Sequence, residues 1–456
     1  IWWGTRLPGL ARGMTQAERI PALAAFRASR PDLEAEYIAD VARVGAMNQV
    51  IKSGPFKLGS GDTDLYKAFA WRNWQLIREG GRFGVVLPRG ALSGSGLADW
   101  RKEILASGTF SDVCFIINNG GWIFPNVDGR YTVGLTVAER AVSDRAGKGV
   151  VAWAGPFASE KSFCENARAL AEVPVAEFKE WSAGAVFPLI PDAESALVFR
   201  QMRKSPRLDS VRLGAQFRPA TELHATADKA LYEFDLDEAR GRIPVYAGSS
   251  FNLWNPDAGP PYAYSPEATL RAHLAKKLAG AVRSKRSVYA GMQFEGGTLP
   301  LDKARIAFRD VTSPTNTRTT ICCLLPPGVS TVHKAPLLVR RGGDASSEAY
   351  LLGVMSSIPF DWVTRRWIEL TMSFELLISM PVPMPTNSEV VSGRVVEIAG
   401  RLAAFNERFA GWAAEVGVPV DSVESAAERD ALVAELDALV SLLYGLTESQ
   451  VRHVFA

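Results

Sequence analysis

Residues 15–50 are dominated by Ala, Leu, Glu and Arg, with Pro21 and Pro31 as punctuation, which predicts helix. A glycine-rich stretch, residues 54–61, leads to Asp62-Thr63-Asp64, a helix N-cap cluster. Leu65, Phe69 and Leu76 keep helical spacing on one face, and Gly80-Gly81 stops that helix. Residues 82–87 (RFGVVL), closed by Pro88, predict a buried strand. Residues 97–105 suit a helix and residues 112–117 (DVCFII) a second strand. A loop with Gly120, Gly121, Phe124 and Pro125 follows, then a third strand over 131–137 (YTVGLTV). Past about residue 150 short apolar runs mix with Pro, Gly and Asn. Residues 244–246, 305–308 and 320–325 are strand-like, and the missing β-α alternation predicts an α+β arrangement. From Ser392 the pattern is helical again. Ile398, Leu402, Phe405 and Phe409 form one stripe and Leu432, Leu436, Leu439 and Leu443 another. Gly445 closes the second, and residues 447–450 (TESQ) form a capping box for a last helix.

With 456 residues the chain can hold two or three domains, and 47% hydrophobic with 22% charged residues is ordinary globular composition. The 51 basic and 49 acidic residues nearly cancel, so any nucleic-acid surface must be a local patch. Cys114, Cys164, Cys322 and Cys323 form no C-x-x-C pair. No zinc site or disulfide framework is expected, and a reducing, cytoplasmic setting fits. No apolar run reaches the roughly eighteen residues of a membrane helix, and no signal peptide opens the sequence. The first residue is Ile, which reads as a cut chain.

Three blocks of residues 62–140 carry a resemblance. They are Asp64-Leu65-Tyr66-Lys67-Ala68-Phe69, then residues 80–88 (GGRFGVVLP), then Ile123-Phe124-Pro125 followed by residues 131–137. This text resembles the rear of the catalytic domain of N6-adenine DNA methyltransferases of the gamma motif order. There the first block is the helix before the fifth sheet strand, the second is that strand, and the third is a loop between the last two strands. Further on, residues 243–248 (IPVYAG), 308–311 (FRDV), 315–319 (TNTRT), 326–329 (PPGV), 380–385 (MPVPMP) and 435–446 (ELDALVSLLYGL) resemble the recognition domains and endings of large restriction-modification and phage-defence methyltransferases. The resemblance implies an α/β chain: a partial doubly wound, Rossmann-like class I methyltransferase domain with a helical insert (1–150), an α+β target-recognition domain (151–390) and a C-terminal helical segment (391–456). It implies methyl transfer from S-adenosylmethionine to an adenine rotated out of duplex DNA. That chemistry is direct displacement, with the amine positioned and polarised by acceptors.

Two family features do not occur in this sequence. One is the Asn/Asp-Pro-Pro-aromatic tetrad that holds the adenine amino group, and the other is the glycine loop that cradles the cofactor. Residues 5–60 resemble the insert that follows the tetrad, so the chain is expected to begin just after it. The front of the domain is then a missing N-terminal part or a separate chain. The alternative reading is a non-enzymatic DNA specificity subunit beside a separate catalytic chain.

By the resemblance, Phe124 stacks on the extruded base, which offsets a base-flipping cost of a few kcal/mol; otherwise it is a loop aromatic plugging the sheet edge. Leu65 and Phe69 face the cofactor's adenine, or are plain core of an amphipathic helix. Arg309, Asn316, Arg318 and Thr319 read bases or clamp phosphates, or form an internal network with Asp310. Arg283, Lys285 and Arg286, with Tyr289 nearby, form a basic run that contacts DNA or is a solvated face, and residues 340–343 (RRGG) are similar. Gly94-Ser95-Gly96 is not a nucleotide fingerprint, because Asp99 stands at the third glycine position. His224, His273, His333 and His453 are scattered, without a catalytic spacing, and no metal site is expected.

Overall fold

The structure is a computed structural model that describes residues 2–10, 13–54, 58, 63–129, 131–168, 171–210, 216–234, 240–313, 316–368 and 370–456. Most of the glycine-rich stretch, Asp62 and Thr315 lie outside these residues. Two helices come first, α1 (Gln16–Ser29) and α2 (Pro31–Ser53). Thr15 and Glu18 form a reciprocal capping box at the start of α1, and Pro31 occupies the first turn of α2, where a missing N–H costs nothing.

A five-stranded sheet follows. Its parts are α3 (Leu65–Leu76), β1 (Arg82–Pro88), α4 (Gly90–Ser93), α5 (Ala98–Ser107), β2 (Gly108–Ile117), β3 (Thr132–Arg140), β4 (Val150–Phe157), α6 (Glu160–Asn166), β5 (Ala171–Pro174) and α7 (Val175–Trp181). The strand order is β1-β3-β2-β4-β5. β3 runs antiparallel to both β1 and β2, so those two are parallel to each other, joined through α5. Two strands of this sheet, β4 and β5, lie beyond residue 150, where the sequence rhythm changes. The 82–87 run is a strand as expected but not a buried one. β1 ends the sheet, and Leu87 alone of its side chains is fully enclosed.

The rest of the chain is α8 (Ala193–Met202), β6 (Phe217–Ala220), β7 (Arg242–Tyr246), β8 (Ala263–Pro266), α9 (Glu267–Arg283), β9 (Arg305–Phe308), β10 (Cys322–Leu325), β11 (Ser330–Thr331) and β12 (Leu337–Arg340). It closes with α10 (Ala345–Ser356), α11 (Ile358–Arg365), α12 (Phe374–Ser379), α13 (Glu389–Ala403), α14 (Ala410–Val416), α15 (Ala426–Leu443) and α16 (Glu448–Phe455). A four-stranded sheet runs β10-β9-β12-β6 and a three-stranded one β11-β7-β8, so the chain is mixed α/β with mixed sheets.

One apolar core joins the first sheet to the C-terminal helices, running from Ala70 on α3 to Val454 on α16. Buried arginines stitch its layers by capping carbonyls that helix ends leave free. Arg89 Nη2 donates to Trp367 O (3.0 Å), tying the end of β1 to the end of α11. Arg101 on α5 donates to Ala91 O (2.8 Å), Gly94 O (3.0 Å), Gly184 O (2.9 Å) and Ala185 O (3.0 Å). The three-stranded sheet and α9 have a smaller core of their own, built from Leu223, Ile243, Val245, Leu270, Leu274 and Leu301 among others.

Candidate functional site

The loop between β2 and β3 leaves the sheet at the carboxyl ends of the parallel strands β1 and β2, where open α/β sheets place their ligands. Asn118 N donates to Tyr131 O (2.9 Å) and closes the loop's base, while Arg89 N donates to Thr132 O (3.0 Å) and links it to the end of β1. Gly120 (φ 67) and Gly121 (φ 73) make the reversal, in a backbone region that side chains resist. Trp122 Nε1 donates to Ile117 O (2.9 Å) and folds the indole back onto the strand.

The organising group inside the loop is Asn118, which is buried. Its amide nitrogen donates to Phe124 O (2.9 Å) and Val127 O (2.9 Å). Its amide oxygen accepts from Phe124 N (2.9 Å) and Ile123 N (3.3 Å). Phe124 is thereby held by its backbone while the residue stays 38% exposed. It is not fully enclosed core. The sequence pattern marks Phe124 but not Asn118, whose part depends on which carbonyls and amides the folded loop points inward.

α3 turns out differently from a plain amphipathic helix. Its buried positions are Lys67, Ala70, Trp71 and Trp74. Leu65 (54% exposed) and Phe69 (62% exposed) lie on the opposite side, and Leu76 and Val86 are exposed as well. The core reading of Leu65 and Phe69 fails because the two tryptophans, with far more apolar area, take the inner face. What remains is an open apolar face beside the sheet's β1 end.

Of the residues expected to read bases or clamp phosphates, Arg309 donates through Nη2 to Phe251 O, with its guanidinium 5.9 Å from the Phe251 ring centroid. The expected Arg309–Asp310 partnership gives way to Lys334 Nζ–Asp310 Oδ2 at 2.8 Å. Thr319 is buried. Its Oγ1 donates to Ser313 O (3.2 Å) and its carbonyl accepts from Thr312 Oγ1 (2.6 Å), so it braces the loop from inside and does not face a ligand. Arg318 is half-buried, and Asn316 is exposed at the loop's tip. α11 anchors this loop: Asp361 Oδ1 accepts from Thr320 N (2.6 Å), and Arg365 Nη2 donates to Thr317 O (3.1 Å).

Arg283 ends α9, where a cation complements the helix dipole, and Lys285 and Arg286 follow it in a turn; all three are exposed. That turn folds back through Gly291 N to Val282 O (3.1 Å). Arg341 Nη2 then donates to Ala290 O (2.8 Å), which brings the second basic segment beside the first. Two basic runs distant in sequence are therefore linked through the turn after α9. Among the described residues no cluster of His, Cys, Asp and Glu could hold a metal, and no helix is long and apolar enough to cross a membrane.

The chain matches no protein-family model and no curated protein. Among solved structures it is similar to the type IIL restriction-modification enzyme MmeI in complex with DNA, at 12% identity over 86% of this chain and 52% of that one, with a TM-score of 0.44. It is also similar to the type IIG restriction endonuclease BpuSI (12% identity, 89% and 52% covered, TM-score 0.31) and to a DrdV–DNA complex (11%, 78% and 41%, TM-score 0.34). The chain spans about half the length of the first two, which it covers to 52%, and 41% of the third.

Proposed function

We propose that this chain is the rear of a DNA adenine N6-methyltransferase with its target-recognition region, serving a restriction-modification or phage-defence system. The observation that carries the reading is the β2–β3 loop, which holds a partly exposed aromatic residue at the carboxyl ends of two parallel strands. The order α3, β1, α4, α5, β2, loop, β3 follows the order of the sequence blocks that carry the resemblance, with β4 and β5 added to the sheet after them. Methyl transfer to an exocyclic amine needs the adenine out of the helix, and a ring stacked on the extruded base returns roughly 1–3 kcal/mol. Phe124 supplies that ring. Arg283, Lys285, Arg286 and Arg341 supply phosphate contacts, and Asn316 is an exposed polar residue of the 312–320 loop able to reach a base edge.

The proposed cofactor is S-adenosylmethionine, which brings the methyl group. The exposed apolar side chains of Leu65 and Phe69 fit contact with its adenine. The glycine loop and the tetrad are not in this sequence, so the groups that position and polarise the amine belong to a catalytic front meeting the open face of α3 and β1. In an enzyme that unites that front with this chain, Phe124→Ala should lower methylation about five- to hundred-fold, while Phe124→Trp keeps much of it. A 2-aminopurine at the target position should report fewer extruded bases in Phe124→Ala. A large loss of melting temperature with an unchanged 2-aminopurine signal would end the reading.

A further inference from the structure

We infer that Asn118 is the positioning residue that fixes the base-stacking ring before DNA arrives; this rests on the stacking reading of Phe124. A carboxamide offers two N–H donors and one oxygen that can accept twice. All four are spent inside the loop, on Phe124 O, Val127 O, Phe124 N and Ile123 N. The orientation of the amide is settled by these partners: turned the other way, oxygen would face two carbonyls and nitrogen two N–H groups.

The chemistry is specific to asparagine. An aspartate keeps the two acceptor bonds but sets a negative oxygen against two carbonyls. A glutamine places its amide one methylene too far. An alanine removes all four bonds; Phe124 O keeps the Val127 N–H, while Val127 O, Phe124 N and Ile123 N lose the carboxamide as partner, which frees a loop that turns on Gly120 and Gly121 to move. The carboxamide grips Phe124 on both sides of its Cα, at N and at O, so displacement of the loop displaces the ring. Held this way, the ring does not have to be ordered when the base arrives, and that cost is taken out of the binding step.

The test uses the 456-residue chain and two DNA duplexes at low salt, followed by fluorescence anisotropy. One duplex carries a single adenine opposite an abasic site, already released from pairing, and the other carries it opposite thymine. The readout is the ratio of the two affinities. The wild-type chain should prefer the unpaired adenine by about five- to hundred-fold, the worth of one stacked base, and Phe124→Ala should remove that preference. Asn118→Ala and Asn118→Asp should each remove most of it, and Asn118→Ala/Phe124→Ala should fall no further than Phe124→Ala, because Asn118 acts through the ring. Amide hydrogen exchange at Ile123 and Phe124 should quicken in both Asn118 variants without DNA present, which reads the loop even where one variant folds poorly. If Phe124→Ala loses the preference while both Asn118 variants keep it, or if the double variant falls further, the positioning role is wrong and the stacking reading stands. Unchanged exchange in the Asn118 variants also overturns it. If the wild-type chain binds the two duplexes alike, the stacking reading falls and takes this role with it.

Discussion

Glu348 lies inside α10, where its Oε2 accepts from Trp412 Nε1 (3.0 Å). Burial raises its carboxyl from the usual carboxylate range to about 7. A folded-state value above the unfolded one means that folding takes up a proton. The stability is therefore fully present below about pH 4.5 and declines as pH rises toward 7. Glu348→Gln keeps an acceptor for the indole and removes the ionisation. Its unfolding free energy should gain on wild type as pH goes from 4 to 8, by up to about 3 kcal/mol at about 1.4 kcal/mol per pKa unit, read by denaturant unfolding at each pH; a constant offset would refute this. Arg101 works in the opposite sense: removing its guanidinium strips donors from four carbonyls, so Arg101→Met should cost about 3–5 kcal/mol in denaturant unfolding. At this scale Phe124 is legible in the sequence, since a Phe-Pro between two strand patterns has few places to go. Leu65 and Phe69 are legible as apolar but not as exposed, because spacing marks a stripe without saying which of two stripes meets the core.

Strands are legible where a short apolar run is bounded on both sides, and residues 305–308 match β9 end to end. Capping boxes are equally plain: the TESQ text becomes a reciprocal Thr447–Gln450 box at the start of α16. Thr447→Ala should therefore cost about 1 kcal/mol, measurable as a shift in urea midpoint. α10 escapes the pattern because it is enclosed on nearly every side, and a helix apolar nearly all round has no stripe to read; α11 escapes because it is only about two turns long and buries its polar Asp361 and Thr364 as well. β1 escapes differently, since its composition suits a buried strand while its place at the end of the sheet leaves it half open. Gly108, at the start of β2, also acts at this scale. A Cβ there would lie 2.0 Å from Glu139 O and 3.1 Å from the Arg140 Cα, both backbone atoms of β3. Gly108→Ala must push the two strands apart. It should lower the melting temperature by several degrees, with faster amide exchange along β2 and β3 but not in α13 or α15.

For the molecule as a whole, a formal net charge of +2 means that duplex binding needs local cations, and the exposed Arg283, Lys285 and Arg286, with Arg341 bonded to the turn that follows them, are the candidates. Duplex binding by this chain should be weak and steeply salt-dependent. Replacing Lys285, Arg286 and Arg341 with alanine should reduce the slope of log affinity against log salt by about 0.9 for each phosphate that is no longer neutralised. An unchanged slope in titrations at two salt concentrations would move the DNA surface elsewhere. The domain divisions expected from sequence do not cut the packing cleanly, since a single core links α3 and the first sheet to α16. Rhythm along the chain does not register such long-range sharing.

The open end of the first sheet has a consequence for handling the protein. β1 is an edge strand with no strand beyond it among the described residues, and Val86, Leu65 and Phe69 stand exposed nearby. Unpaired backbone groups next to apolar side chains are a template for edge-to-edge aggregation. The 456-residue chain should scatter light increasingly with concentration, and Val86→Lys, which sets a charge on that edge, should suppress the scattering at no more than a small cost in melting temperature.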